Sequence, residues 1–212
     1  MTLPTGIRLA WHEVPAGSAR RDVSRALLAE LVPGARFRSL CPACGGDHGR
    51  IHVEGADAAV SVSYVEGWAV AVAARGHERV GLDAVPADAA GLERVLPRLK
   101  PGGPDDLESP ALEVREDAGG SIATTARAWA RVEAILKADG RGLTVDARRV
   151  DVQGNGDTWT ARILPSASRG PSPANKGDTA EGLPLEWRGW DLDGPANVVL
   201  AVAVKSAAGA RA

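Results

Sequence analysis

The feature that most constrains this chain is a series of strand signals between residues 60 and 85. Val60-Ser61-Val62-Ser63-Tyr64 alternates strictly, Glu66-Gly67 breaks the run with a turn, and Trp68-Ala69-Val70-Ala71-Val72 resumes it. Side chains that change face at every residue mark a half-buried strand. A third run follows through Val80 to Val85. Together they predict an antiparallel meander with one face of small or polar side chains.

Helical patterns flank the meander. Ser18 as cap, Asp22 near the start, and Val23, Leu27, Leu28 and Leu31 as an apolar stripe predict a helix that Pro33-Gly34 ends. A second helix is expected from Asp88 toward Leu96, limited by Pro97, and Lys100-Pro101-Gly102-Gly103-Pro104 reads as a linker. The second half repeats the plan: a helix over about 122–138, then strands over about 143–151, 157–164, 184–192 and 197–204. Residues 165–182, rich in Ser, Pro and Gly, read as a long loop. The expected class is α+β with two similar halves, residues 1–100 and 101–212. The cleft between them is the natural place for a ligand.

Composition narrows the function. At 212 residues and 44% apolar, the chain can bury a substantial core. Lys and Arg number 25 against 27 Asp and Glu, and aromatic residues are not interleaved with basic ones, so no nucleic-acid partner is expected. Residues 8–50 hold seven Arg against four acidic residues, a local net charge of +3 suited to a small anion. No apolar run approaches the roughly 20 residues that span a bilayer. Residues 1–12 show no basic segment followed by an apolar one. The expectation is a soluble cytoplasmic protein with no membrane partner and no disulfide framework from its two cysteines.

Chemistry is most legible in the helix around residues 128–140. Trp129, Glu133 and Lys137 stack at i, i+4, i+8 on one face, and Asp83 closes the strand Arg79-Val80-Gly81-Leu82. An Asp at a strand end with a Glu and a Lys on a helix suits one metal-bound phosphate. Each also has an ordinary reading: Glu133 and Lys137 as an exposed ion pair, Asp83 as a turn residue, Trp129 as core packing. Cys41, Cys44, His48 and His52 have a spacing that admits a tetrahedral zinc site, though it is shorter than a finger's. Plain thiols are the simpler account.

In this order, the motifs make the chain similar to the Sfp-type 4′-phosphopantetheinyl transferases. Ser24-Arg25-Ala26-Leu27-Leu28 resembles the family's N-terminal helix, and His48-Gly49-Arg50 its (H/Y)-G-(K/R)-P turn, with Ile51 in place of Pro. Ser61-Val62-Ser63-Tyr64 lies where the family writes a strand ending S-H-S. Val80-Gly81-Leu82-Asp83-Ala84-Val85 parallels (V/I)-G-(V/I)-D-(V/I)-E. Trp129 to Lys137 parallels W-x-x-K-E-A-x-x-K, and Gly140-Arg141-Gly142-Leu143 the G-x-G-L that follows. The resemblance covers about residues 20–204.

It implies two α+β halves related by a pseudo-twofold and a monomeric enzyme. The implied reaction moves phosphopantetheine from coenzyme A to a serine of an acyl or peptidyl carrier protein, with Mg²⁺ or Mn²⁺. Asp83 and Glu133 are the implied metal ligands, Glu133 and Lys137 the catalytic pair, and Arg25, Arg50, Ser63 and Tyr64 the coenzyme A contacts. Val85 replaces the family's second acidic residue, Tyr64 its His and Val132 its Lys. The alternative is therefore a relative with impaired or no catalysis that binds coenzyme A or a carrier domain.

Overall fold

The computed structural model describes residues 3–39, 44–46, 49–88, 92, 122–154, 156–165 and 186–205. In chain order they form β1 (Ile7–Glu13), α1 (Arg20–Leu31), β2 (Arg36–Arg38), β3 (His52–Glu54), β4 (Ala58–Val65), β5 (Trp68–Arg75) and β6 (Val80–Pro86). Then come α2 (Ile122–Asp139), β7 (Val150–Gln153), β8 (Thr158–Ile163), β9 (Glu186–Leu192) and β10 (Val198–Lys205). The class is mixed α+β, with three antiparallel sheets. One sheet runs β1-β5-β4, the second β6-β10-β9-β8-β7, and β2 pairs with β3 alone.

Alternation sorts the side chains into three cores. On β5, Ala69, Ala71 and Ala73 face α1 and its Leu27, Leu28 and Leu31. The intervening Val70, Val72 and Ala74 pack instead with Val80, Leu82 and Ala84 of β6 and Leu200 and Val202 of β10. Ala201 and Ala203, on the other face of β10, lie against α2 with Ala130, Ile135 and Ala138. Alanines thus face both helices, where small side chains let a helix lie close to a sheet. The larger aliphatics fill the space between the two sheets.

The hairpin between β4 and β5 closes at Glu66-Gly67, both with positive φ (42° and 80°), as a tight two-residue turn requires. The expected meander stops there. β6 hydrogen-bonds to β10 in antiparallel register, Asp83 opposite Ala201, and not to β5. It meets β4 through side chains: the Leu82 and Ala84 N–H groups donate to the Ser61 and Ser63 hydroxyls at 3.1 and 3.2 Å. The strand that carries Asp83 is thereby shared between the two sheets. Local periodicity identifies a strand but carries no record of its long-range partner.

Other differences are local. The N-cap of α1 is Ala19, not Ser18, and no side chain caps it; Asp22 does lie in the first turn. Over 143–151 the strand expected there is replaced by two short 3₁₀ turns, Gly142–Thr144 and Ala147–Arg149, before β7 begins at Val150. Asp146 accounts for this by accepting both the backbone N–H and the guanidinium of Arg148 (3.0 and 2.6 Å), which competes with strand pairing. Residues 89–96 of the expected helix (Leu92 apart), the 100–104 linker and residues 166–182 of the expected loop lie outside the described residues. Among the described helices none is long and apolar enough to cross a membrane.

Candidate functional site

Gly81 sets the depth at which α2 lies on its sheet. A Cβ there would fall 2.0 Å from the carbonyl oxygen of Ala134 and 2.5 Å from the backbone nitrogen of Ala138. Helix backbone therefore rests on strand backbone, two residues from Asp83. Glu133 and Lys137 flank that contact on α2, one turn apart, so the close approach delivers both to the Asp83 carboxylate.

The resulting constellation is tightly bonded. The Lys137 ammonium donates to Asp83 Oδ1 at 2.6 Å, to the Leu82 carbonyl at 3.0 Å and to Ser63 Oγ at 3.1 Å. The Ser63 hydroxyl in turn donates to the same Asp83 Oδ1 at 3.1 Å. Asp83 is 6% exposed, whereas the Lys137 side chain retains 32% of its surface in solvent. The ordinary reading of Glu133 and Lys137 as a solvated pair on a helix is set aside by this geometry. Trp129, one turn earlier, is a core residue beneath the helix.

Glu133 is held above the usual carboxylate range, first by burial and then by the negative charge of Asp83, with Lys137 pulling the other way. Two carboxylates thus share the site with one ammonium. That charge deficit, and a donor set of hard carboxylate oxygens, fit Mg²⁺ or Mn²⁺. Asp83 has Oδ2 to offer, since its hydrogen bonds among the described residues all fall on Oδ1. Val85 contributes no oxygen: it is 6% exposed in the core beneath α2. Among the described residues no group of three or more His, Cys, Asp or Glu is placed to hold a metal. Any ion would take most of its shell from a bound ligand and water.

The remaining expected residues divide between two places. Arg50 lines a cleft of about 370 Å³ with Ser61, Val62, Leu136, Lys137 and Gly140. Burial and the neighbouring Arg79 lower the Arg50 pKa, while Glu78 and Asp139 counter them. Tyr64 points to the opposite face of β4 from Ser63. Its hydroxyl hydrogen-bonds Ser24 of α1 at 2.7 Å, and Arg20 stacks over its ring at 4.9 Å. Arg25 belongs to that α1 face too: it and Arg21 both donate to Ser39 Oγ, at 2.7 and 3.0 Å. Of the zinc candidates, Cys44 and His52 are exposed, and Cys41 and His48 lie outside the described residues.

Two participants escaped the sequence reading. Ser61 shares a strand face with Ser63 and lines the cleft; the clue was a repeated Ser at strand spacing. Arg79 donates to the Asp139 carbonyl at the end of α2, a contact that no local motif announces. Elsewhere, Asp191 accepts two bonds from Arg131 (3.0 and 2.7 Å) and one from Trp159 Nε1 at 2.9 Å, and forms an ion pair with Arg127, a buried brace between α2 and its sheet. No known protein family and no curated protein matches this chain.

Proposed function

We propose that the chain transfers 4′-phosphopantetheine from coenzyme A to a serine hydroxyl of an acyl or peptidyl carrier protein, with Mg²⁺ or Mn²⁺. The observation that carries this reading is the meeting of Asp83, Glu133 and Lys137, from elements about fifty residues apart, beside a cleft that also holds Arg50. Their order along the chain is that of the transferase motifs. Two α+β halves related by a pseudo-twofold belong to the same reading, as do a monomer and a cytoplasmic setting.

In this reading the carrier serine oxygen attacks the pyrophosphate phosphorus that bears the pantetheine arm. The bond to the adenosine-side oxygen breaks, and adenosine 3′,5′-bisphosphate leaves. Asp83 Oδ2 and Glu133 would hold the divalent ion, which offsets charge on the transferring phosphoryl group. Glu133, whose proton affinity burial raises, is the residue suited to accept the serine proton. Arg50 binds phosphate through its planar fork. The Lys137 charge lies next to the reacting region, although its N–H groups point to Asp83, Ser63 and Leu82.

Intact mass of apo carrier proteins after incubation with this protein, coenzyme A and Mg²⁺ tests the proposal. A phosphopantetheine-sized gain that EDTA abolishes supports it. Coenzyme A binding with no gain on any carrier would favour the non-transferring relative, for which Val85 in the core is the specific observation.

A further inference from the structure

From the hydrogen-bond inventory around Asp83 we infer that Ser63 and Lys137 are positioning residues for that carboxylate, and not contacts to the transferred ligand. An ammonium has three N–H donors. All three of Lys137 are engaged, with Asp83 Oδ1, Ser63 Oγ and the Leu82 carbonyl. A serine hydroxyl has one proton and two lone pairs. Ser63 gives its proton to Asp83 Oδ1 and accepts from Lys137 Nζ and the Ala84 N–H. Both groups are saturated, and both converge on the same carboxylate oxygen.

The consequence for Asp83 is geometric. Two donors on Oδ1 fix the carboxylate plane and leave Oδ2 as the oxygen that can meet a cation. Lys137 is anchored to β6 through Leu82, and Ser63 through Ala84, so the carboxylate is held from α2 and β4 at once. A phosphate contact by either side chain would cost one of these bonds. Arg50 lines the cleft and spends one of its five N–H groups on the Glu78 carbonyl at 3.5 Å, so its guanidinium has donors left for that role.

The test uses the full-length protein and reductive methylation, read lysine by lysine by mass spectrometry. It requires neither coenzyme A nor a carrier protein. In Ser63→Ala, Lys137 should be methylated about tenfold faster, because a charge-assisted bond that holds it is gone. Lys205, at the end of β10 and paired with Glu78, should keep its wild-type rate, and Ser63→Thr, which retains the hydroxyl, should keep Lys137 slow. Ser63→Cys, a weak donor of similar size, serves if the alanine variant does not fold, with an intermediate rate expected. An unchanged Lys137 rate, or an equal acceleration at Lys205, overturns the inference.

Mn²⁺ titration followed by electron paramagnetic resonance supplies a second readout and rests on the metal reading above. Ser63→Ala should weaken Mn²⁺ about tenfold, and unaltered affinity would count against a positioned Oδ2. If the wild-type protein takes up no Mn²⁺, the metal reading fails, while the methylation rates still decide what Ser63 and Lys137 do.

Discussion

Glu133 is a carboxyl group kept partly out of water beside another carboxylate, and its proton is held more tightly in the folded chain than in the unfolded one. Stability from this group is therefore greatest at acid pH. It falls as pH rises from the ordinary carboxylate range through the raised folded value, and the full penalty persists above that. Glu133→Gln removes the penalty. Its thermal midpoint without metal should exceed wild type at pH 7.5, and the difference should vanish near pH 4. On the proposed chemistry, transfer in the same variant should fall at least about 100-fold, the scale of a lost general base. A variant that turns over like wild type would remove Glu133 from the site. This residue was visible in the sequence because a Glu-x-x-x-Lys pair on a helix has a fixed geometry. The saturation of Lys137 was not, since Ser63 and Leu82 reach it only through the packed fold.

At the level of elements, Gly81 joins β6 to α2. Gly81→Ala would drive a methyl into the carbonyl of Ala134, so the helix must move outward or the strand must bend. A cost of about 1–3 kcal/mol is expected from overpacking of this kind. Chemical denaturation should register it, and the displacement of Glu133 and Lys137 should depress transfer beyond what the stability loss explains. The long elements were legible for reasons of period: α2 carries an apolar stripe, and β4, β5 and β10 alternate. Strand β1 was missed because Ile7 is its only buried residue, so Ile7-Arg8-Leu9-Ala10-Trp11-His12-Glu13 shows no clean two-residue rhythm. Strands β2 and β3 hold three residues each, too few for a period to declare itself. At Asp146 a side-chain bond to the backbone overrode the β-branched residues around it.

Over the whole molecule, the candidate site draws on β4, β6 and α2, the place where the two larger sheets abut. A divalent ion held by Asp83 and Glu133 would bind the folded chain alone and stabilise it by mass action, by about 2.7 kcal/mol at a hundredfold excess over Kd, raising its melting temperature. Mg²⁺ or Mn²⁺ should therefore stabilise wild type and leave Asp83→Asn and Glu133→Gln unmoved in a thermal-shift series. Equal stabilisation of all three would place the ion elsewhere. Sequence motifs supplied the members of this site and their order. They did not supply the division that the fold makes, with Ser63 on the face of β4 toward Asp83 and Tyr64 on the face toward α1.

The serines of β4 have a further effect, on how the protein behaves in company. A strand flank with unspent N–H groups is a template on which another chain can pair. At Leu82 and Ala84 those donors are taken up by Ser61 and Ser63. Hydroxyls at alternate residues satisfy the flank without extending the ladder, so the two sheets meet through side chains. Ser61→Ala combined with Ser63→Ala should uncover the template, with concentration-dependent self-association in sedimentation and faster amide exchange at Leu82 and Ala84. The pair of hydroxyls, one of which braces the Asp83 carboxylate, would then also be what keeps this molecule from polymerising through its own seam.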